Sequence, residues 1–571
     1  MANANDQRAA PDVTRRERDV LVALCRPALE GDVFTEPASV RQIAKALVVT
    51  DAAVKQHLSH LYDKFDIAET GERRRVQLAR EAIRRGAVSL GEIEAASEAL
   101  GAGRDAFERR EWSRALELLS AADAATQLGA DDLERLAEAA LWADRHEESF
   151  AAHQRAYQEH LRGSNPARAA FVALVLVIHY AVRLEFAAAE GWLGKAERLL
   201  EAQPDGPVHG YRALVAALFN EASGDWDAVY ENSLEMHEVG CRHDEADLQA
   251  LGLTFQGLVR ARRGETADGV RLLDEAMASA TGGELGMLAT GIVYCRMMCA
   301  CLDLYDYRRA GEWTNVVETC RATTGMGGFP GDCRTHRATM LVKRGAWVQG
   351  EQEALRAVEE LQAFNLTHVG PASYELGEIR LRQGDLDAAE DAFLRAHEYG
   401  FSPQPGLALL RLARGDVGEA VSSIDAALAN ASLDGLARSR LLPARVEIAL
   451  AAGDADSTRS DVLELEELAT THEIPAIAAA AEHARGQLEL AVGEAAAAAA
   501  RLASAQRLWQ QVDAPYEAAR ARELLGNARL RDGERESGAL ELRAARSAFE
   551  RLGASLDAER IGRRIAEVAA V

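Results

Sequence analysis

The sequence is poor in proline, cysteine and aromatic residues. It has 13 prolines and 7 cysteines among 571 residues, and only 5% of its residues are aromatic. Scarce proline leaves long stretches free to be helical, because proline removes a backbone donor and breaks helices. The most apolar run, at 171–182, contains His179 and is shorter than the roughly 20 residues that a membrane-spanning helix needs. We therefore expect an all-α chain without a membrane span.

The sequence also lacks the motifs of common enzymes and of export. G-x-x-x-x-G-K-S/T does not occur, since GWLGKA at 191–196 has the wrong spacing, and H-E-x-x-H is absent. The 90 acidic residues mostly recur at helical spacing, so no acid–base pair stands out. The polar N-terminus has no apolar signal-peptide core. We expect a cytoplasmic protein that is not an enzyme and that needs no cofactor.

Cysteine is concentrated in one region, where five of the 7 residues fall within 295–333. Cys295 and Cys299 share a helix face, since they are four residues apart, and His336 follows the group. A metal site or a thiol sensor is one interpretation. The other is that these are small buried residues of alanine-rich helices, because no C-x-x-C pair is present. We favour the second and expect no metal; the candidate ligands of the first are Cys295, Cys299, Cys301 and Cys333.

Residues 39–65, SVRQIAKALVVTDAAVKQHLSHLYDKF, predict two helices joined by a tight turn. Thr50 is placed as the N-cap of the second helix, with Asp51 in its first turn. Apolar residues recur at helical spacing in both helices. In the first helix they are Ile43, Ala44 and Leu47, and in the second they are Val54, Leu58, Leu61 and Phe65.

The opposite face of the second helix is polar and partly basic. Lysine can contact a guanine or a phosphate, glutamine an adenine, and serine either base type. A recognition helix presents its N-terminal residues to the major groove. We therefore predict that this segment binds double-stranded DNA, and the candidate contacts are Arg41, Gln42, Thr50, Lys55, Gln56, Ser59, His60 and Lys64.

These residues resemble the LuxR/GerE type of helix-turn-helix domain. V-T-R-R-E-R-D-V-L at 13–21 resembles the opening helix of that family, R-Q-I-A at 41–44 begins its core, and 75–88 resembles its closing helix. The resemblance implies a DNA-binding domain over 13–88, after a disordered segment 1–12. It also implies that Lys55 contacts phosphate or base and that Thr50, Gln56 and Ser59 lie at the DNA.

Two features depart from that family. The link at 25–39 is longer than usual, which predicts either an extra turn or a small β-hairpin, the latter giving a winged variant. The domain also comes first in the chain, whereas the family usually carries it last. Both departures bear on the base contacts more than on the fold.

Charge is distributed unevenly along the chain. Residues 1–90 carry 15 lysines and arginines against 13 acidic residues, whereas the whole chain has a net charge of −25. Clustered cations in the first segment can supply phosphate contacts. The acidic remainder would repel nucleic acid, and it also keeps a large protein dispersed.

Beyond residue 90 a helix-breaking signal recurs about every 40 residues. It is usually a glycine followed by Asp or Glu, which ends one helix in a left-handed cap and begins the next. Tyr305 stands where one glycine is missing, and Leu184 lies one period before the first. The glycines are Gly224, Gly264, Gly345, Gly384, Gly415, Gly453, Gly493 and Gly533.

The pattern resembles the tetratricopeptide (TPR) repeat, with the longer period of MalT-like arrays. The resemblance implies an α-solenoid over 89–571, with about a dozen helical hairpins in a right-handed superhelix. A hinge is expected at 325–331, GMGGFPG. By the same resemblance, the concave groove would hold a protein or peptide ligand.

We interpret the chain as a DNA-binding transcriptional regulator whose TPR-like array binds a partner protein, a peptide or a small effector. We also expect a homodimer, because a single small domain buries little DNA surface and paired half-sites are the usual solution. The alternative is a protein-interaction scaffold whose N-terminal module docks protein rather than DNA.

Overall fold

The computed structural model describes residues 10–25, 27, 36–47, 49–68, 73–88, 90–324, 330–430 and 433–570. These residues contain 29 helices and no strand, so the predicted all-α solenoid is confirmed. None of the described helices is long and apolar enough to cross a membrane. The predicted disordered 1–12, the insertion at 25–39 and the hinge at 325–331 lie largely outside the described residues.

The chain divides into two compact units. Unit 1 comprises Met1–His179, Ala187–Pro204 and Arg321–Gly327, and unit 2 comprises Tyr180–Phe186, Asp205–Cys320 and Gly328–Val571. The first ten helices, which belong wholly or mostly to unit 1, are α1 (Arg15–Cys25), α2 (Val40–Leu47), α3 (Asp51–Lys64), α4 (Arg73–Arg84), α5 (Leu90–Glu108), α6 (Trp112–Ala125), α7 (Ala130–Trp142), α8 (His146–Arg162), α9 (Pro166–Val182) and α10 (Phe186–Leu200).

The other helices belong wholly or mostly to unit 2. They are α11 (Pro207–Ser223), α12 (Trp226–His243), α13 (Ala246–Arg262), α14 (Thr266–Gly282), α15 (Met287–Asp303), α16 (Tyr307–Thr324), α17 (Pro330–Lys343), α18 (Trp347–Leu361), α19 (Leu366–Gln383), α20 (Leu386–Glu398), α21 (Gly406–Arg414), α22 (Val417–Leu428), α23 (Gly435–Ala451), α24 (Ala455–His472), α25 (Pro475–Ala491), α26 (Ala495–Gln511), α27 (Pro515–Arg531), α28 (Arg535–Leu552) and α29 (Ser555–Ala570).

Helices α1 to α4 pack into a module around one apolar core. Helix α1 contacts each of the other three, and α2 contacts α3. The side chains at the centre of this core are fully buried, since each exposes 2% or less of its surface. They include Leu21, Leu24, Ile43, Val54, Leu58, Leu61, Phe65 and Leu78. The predicted apolar stripes of α2 and α3 are therefore confirmed, apart from Leu47, which is half-buried.

From α5 onward the described helices form antiparallel hairpins, with α29 left over at the end. The backbone turns between the two helices of a hairpin at a residue with positive φ, and from Leu184 to Gly533 these φ values lie between 56° and 92°. Only glycine adopts this conformation without a steric penalty. The residues are Leu184, Gly224, Gly264, Tyr305, Gly345, Gly384, Gly415, Gly453, Gly493 and Gly533, so the predicted period is confirmed.

One hydrogen bond recurs in these turns. The residue after the break donates its N–H to the carbonyl five residues earlier, as Asp225 does to Asn220 at 2.9 Å and Asp306 to Cys301 at 2.8 Å. This is the bond of a Schellman motif, which satisfies a carbonyl at the end of the first helix. An aspartate after the break can also cap the next helix with its side chain, as at Asp225, Asp385 and Asp454.

Small residues let the two helices of a hairpin approach each other closely. In α20 the buried alanines Ala389, Ala392 and Ala396 share one face of the helix. Glycine serves the same purpose where Gly257 of α13 meets Gly269 of α14, since a Cβ at Gly257 would lie 2.7 Å from the carbonyl oxygen of Gly269.

In unit 2, hairpins that lie about four periods apart in the sequence contact each other. Arg262, at the end of α13, pairs at 2.6 Å with Asp434, which precedes α23 and lies 172 residues further on. Arg344, after α17, pairs at 2.7 Å with Asp513, 169 residues further on. The hairpins of unit 2 therefore curve around a shared interior, and the first helix of each hairpin from α15 onward contributes to its wall.

We predict that Gly345→Ala destabilises unit 2 more than Gly453→Ala does. Both residues have positive φ, 79° and 82°, so alanine costs about 1–2 kcal/mol at either position. At Gly345 the new Cβ would also lie 2.5 Å from Leu552 and 3.0 Å from Pro515, whereas nothing lies within 4 Å at Gly453. Crowding of this kind adds about 1–3 kcal/mol. Thermal unfolding followed by circular dichroism measures the difference, and equal midpoints would show that this contact contributes nothing.

Candidate DNA-binding surface and ligand cavity

Helices α2 and α3 have the ends that their sequences predict. Thr50 is the N-cap of α3, and its side chain accepts a hydrogen bond from the N–H of Ala53 at 3.2 Å. Ser39 and Gln42 form a capping box at the start of α2, in which the Gln42 side chain accepts from the Ser39 N–H at 2.8 Å. Both helices are therefore capped at their N-termini.

All eight candidate DNA contacts are exposed, but they differ in what else they bind. Gln42 and Thr50 serve as helix caps. Lys64 donates to the carboxylate of Glu17 at 2.7 Å and to the carbonyl of Asp12 at 3.1 Å, so it is not a free cation for phosphate. The side chains of the remaining five candidates have no hydrogen-bond or ion-pair partner among the described residues. These candidates are Arg41, Lys55, Gln56, Ser59 and His60.

Six arginines follow α3, at 73–75, 80, 84 and 85, and most of them contact other residues of the module. Arg84 and Arg85 both pair with Glu81 at 2.7 Å. The guanidinium of Arg74 stacks 4.4 Å from the centre of the Tyr62 ring. The arginines of this cluster left exposed, with no partner among the described residues, are Arg73 and Arg80.

Glu17 joins α1 to the end of α3, and the sequence interpretation did not identify it. Its carboxylate accepts hydrogen bonds from the N–H and hydroxyl of Thr14 and from Lys64, at 2.7–2.9 Å. Burial disfavours the charged carboxylate, but these hydrogen bonds outweigh it and lower the pKa of Glu17 to about 2. The T-x-x-E spacing at 14–17 is a capping-box signal that could have revealed the residue.

Unit 2 contains a partly open cavity of about 670 Å³, within the range of small-molecule sites. The first helices of successive hairpins form most of its wall, and they bring many charged and phenolic groups inward. Examples are Tyr374, Glu375, Glu378 and Arg382 on α19, Arg440 and Glu447 on α23, Tyr516, Glu517 and Arg520 on α27, and Asp557 and Arg560 on α29.

Ion pairs neutralise much of this charge. Arg520 pairs with Glu447 at 2.6 Å, and Arg560 pairs with Asp557 at 2.7 Å. Several buried polar atoms of the wall nevertheless have no hydrogen-bond partner in the described part of the chain. They are Glu375 Oε2, Arg382 Nη1, Trp509 Nε1 and Glu517 Oε2. Since buried polar atoms are almost always hydrogen-bonded, these four atoms distinguish the wall from an ordinary protein interior.

Two carboxyl groups on α19 have opposite pKa shifts. Glu375 accepts a hydrogen bond from Thr339 at 3.0 Å, and burial, reinforced by the Glu378 carboxylate, raises its pKa. Burial acts on Glu378 in the same direction, but Arg382, at 2.8 Å, and Lys343 outweigh it and lower the pKa of Glu378. The wall therefore presents one carboxylate stabilised by cations beside one that burial destabilises.

Aromatic residues also border this cavity. Trp509 is buried, and Tyr516 makes edge contacts with the rings of Trp347 and Phe549 at 5.6 Å. The sequence interpretation missed the cavity charges. Y-E-x-x-E at 374–378 is the available signal, because it places carboxylates on the inner helix of a hairpin.

The structure brings together only part of the predicted cysteine group. The ligand atoms of Cys295, Cys299 and His336 lie within 4.8 Å of one another. A hydrogen bond from Cys295, assisted by His336 and Arg296, holds the pKa of Cys299 well below its usual value despite burial. Cys301 is instead buried against the sulfur of Met297 at 3.6 Å, so it does not join the group. The Cys333 side chain lies outside the described residues.

Comparison with known proteins finds similarity at the level of solved structures. No protein-family model and no curated protein matches the sequence. The chain is similar to one in the crystal structure of the APC/C hetero-tetramer Cut9-Hcn1, with 11% identity and a TM-score of 0.35, covering 81% of this chain and 95% of that one. It is also similar to yeast Tom70, with 13% identity, a TM-score of 0.31, and 82% and 96% coverage. Because both TM-scores are low, neither protein's role carries over to this chain.

We predict that Glu17→Gln destabilises the N-terminal module and removes part of its acid sensitivity. A carboxylate whose pKa is lowered on folding stabilises the fold above its unfolded pKa of about 4.3 and loses that effect as pH falls toward 2. Loss of hydrogen bonds to a buried charge costs about 1–3 kcal/mol at neutral pH. Hydrogen exchange of α1 and α3 between pH 7 and pH 3 measures both effects; the difference in protection between the wild type and the variant should narrow as the pH falls toward 3.

We predict opposite effects for two neighbouring substitutions in the cavity wall. Because the pKa of Glu375 is raised on folding, its carboxyl group loses stabilising effect as pH rises through that pKa. Glu375→Gln should therefore stabilise unit 2 at pH 8 by up to about 1–2 kcal/mol. Glu378→Gln breaks the ion pair with Arg382 and should destabilise it by about 3 kcal/mol. Thermal midpoints at pH 5 and pH 8 test the pair, and equal shifts of one sign would contradict it.

Proposed function

We propose that the protein is a sequence-specific DNA-binding regulator whose unit 2 cavity binds a small polar effector. The observation that carries the DNA-binding part is the exposed face of α3. Lys55, Gln56, Ser59 and His60 project from a helix whose opposite face is buried and whose start is capped by Thr50. These side chains match the groups that read base edges and phosphates.

The surroundings of α3 support phosphate contacts on a limited scale. Arg41 on α2 and Arg73 and Arg80 on α4 are exposed. Exposed arginines beside a recognition helix supply the sequence-independent part of DNA affinity. Since Lys64 is bound by Glu17, we assign base and phosphate contacts to the N-terminal half and middle of α3 rather than to its end.

The module is bonded to the link between the first two hairpins of unit 1, which supports a defined presentation of α3. Arg16 in α1 donates to the side chain of Gln127 at 2.6 Å, and Gln127 in turn donates to Glu159 of α8 at 2.8 Å. Side-chain bonds of this kind tie the module to the solenoid helices that follow it. We infer that α3 is held by a rigid support, which is how recognition helices are usually presented.

The cavity in unit 2 favours a small polar effector over a protein or peptide. Its volume of about 670 Å³ suits a single small molecule. Its wall combines unpaired donor and acceptor atoms with paired charges, as at Arg382 Nη1 and Glu517 Oε2. A ligand with both donors and acceptors would satisfy these atoms, and an apolar ligand would leave them buried and unsatisfied.

A second candidate is a protein-interaction scaffold that does not bind DNA and that captures a partner protein on unit 2. The observation that favours it is an exposed apolar stripe on α18. Val348 and Leu355 lie seven residues apart on one face and expose 64% and 46% of their surface. Such side chains are typical of a contact with another protein when they form a patch. In this alternative, charge on α3 would not matter for partner capture.

We predict that Lys55→Glu weakens binding to the preferred DNA site at least about tenfold and flattens the salt dependence. The measurement is selection from fragments of the source genome by full-length protein at two salt concentrations, followed by affinity titration on the enriched fragment. Arg271→Glu is the control, since Arg271 is an exposed residue of α14 with the same charge change. An inverted repeat in the enriched fragment would indicate the homodimer that the sequence predicts.

Equal binding by the wild type and the Lys55→Glu variant would contradict DNA recognition by α3. Enrichment without sequence preference, abolished at the higher salt concentration, would contradict a specific operator. Either result favours the scaffold, for which the expected outcome is partner capture that is indifferent to Lys55 and lost on Val348→Asp.

A further inference from the structure

Three side chains of the types that ligate metals meet between two neighbouring inner helices of unit 2. Cys295 and Cys299 lie one turn apart on α15, and His336 lies on α17. The sulfur of Cys299 is 3.4 Å from Nε2 of His336, and all three ligand atoms lie within 4.8 Å of one another. None of these residues contributes to the DNA surface or lines the cavity.

The separations suit a tetrahedral zinc site. Zinc binds thiolate sulfur at about 2.3 Å and imidazole nitrogen at about 2.0–2.1 Å, so neighbouring ligand atoms lie roughly 3.5–4 Å apart. The 3.4 Å between Cys299 and His336 is close to that value. Thiolate and imidazole are also the ligands that select zinc over magnesium or calcium.

The charges around the site also balance with zinc bound. A zinc ion with two thiolates and a neutral imidazole carries no net charge. Arg296, which follows Cys295 on α15, is half-buried, and its guanidinium pairs with Glu221 at 2.7 Å. The site therefore gains a metal without leaving an unpaired charge in the interior.

We propose that Cys295, Cys299 and His336 bind one Zn²⁺ ion. The two cysteines are half-buried and His336 is buried, so the ion enters from the cysteine side. Water takes the fourth position of the tetrahedron. Binding releases the thiol protons, and the metal then holds α15 against α17.

The position of the ion relates it to the effector cavity. Leu302 lies three residues after Cys299 on α15, and Thr339 lies three residues after His336 on α17. Both line the cavity, and Thr339 donates to Glu375. A bound metal thus fixes the spacing of two helices that form part of the cavity wall. This consequence rests on the proposed effector site, whereas zinc binding itself does not.

Direct titration of the full-length protein with Zn²⁺ tests the site. The reduced protein is stripped with a chelator, and one sample is titrated with zinc chloride in competition with a chromophoric chelator. A second stripped sample is titrated with Co²⁺ to record the thiolate charge-transfer absorption. We expect one zinc per chain and a raised thermal midpoint, because zinc binds the folded state. Cys295→Ser and Cys299→Ser should each weaken binding by more than about 100-fold, beyond the usual effect of outer-shell changes.

Cys241→Ser provides a matched control. The sulfur of Cys241 lies 3.5 Å from Nε2 of His237, the same type of pair, but no third ligand joins it among the described residues. This variant should bind zinc and cobalt as the wild type does, and all variants should keep the helical circular dichroism. Zinc binding that is absent, or equal in wild type and Cys299→Ser, or lost only in Cys241→Ser, would overturn the proposal.

Discussion

A residue with positive φ, placed about every 40 positions, is the constraint on which the solenoid depends. At each one the chain leaves a helix, closes a hydrogen bond to the carbonyl five residues back, and begins an antiparallel helix. Glycine occupies most of these positions because the left-handed region carries no steric penalty for it. Leu184 and Tyr305 adopt the same conformation without being glycine, so the fold imposes the turn even where the residue opposes it.

The curvature of unit 2 results from the repetition of similar hairpins and not from any single hairpin. When each repeat adds a similar rotation, the array curves, and in unit 2 it meets itself after 169 to 172 residues. The inner helices then face a common interior instead of open solvent. Charged residues such as Glu375 and Arg440, which would be ordinary surface residues on an isolated hairpin, become part of the lining of the cavity. Curvature thus gives the inner helices a common interior, which is the candidate ligand site.

In the N-terminal module, by contrast, most helix faces and helix ends can be predicted from local sequence signals. The stripes of α2 and α3 and the cap at Thr50 are readable from neighbouring residues, because helix periodicity and capping act over one to two turns. Whether each cationic side chain is free to contact DNA cannot be predicted from neighbouring residues in this way. Lys64 and Lys55 look equivalent along the sequence, yet Lys64 binds Glu17 across 47 residues, whereas Lys55 has no partner among the described residues. Pairing depends on how α1 packs against α3.

The sequence by itself determined the helical class, the period of the breaks, the apolar faces and the placement of a two-helix unit near the N-terminus. All of these depend on interactions within a few residues of one another. Only the tertiary structure decided which charges line a cavity, which arginines are already paired, and that Cys299 meets His336 while Cys301 does not. Such outcomes depend on contacts between segments tens to hundreds of residues apart, and a one-residue change of helix face reverses them. Periodicity alone does not determine which distant side chains meet, and the packing of the helices does.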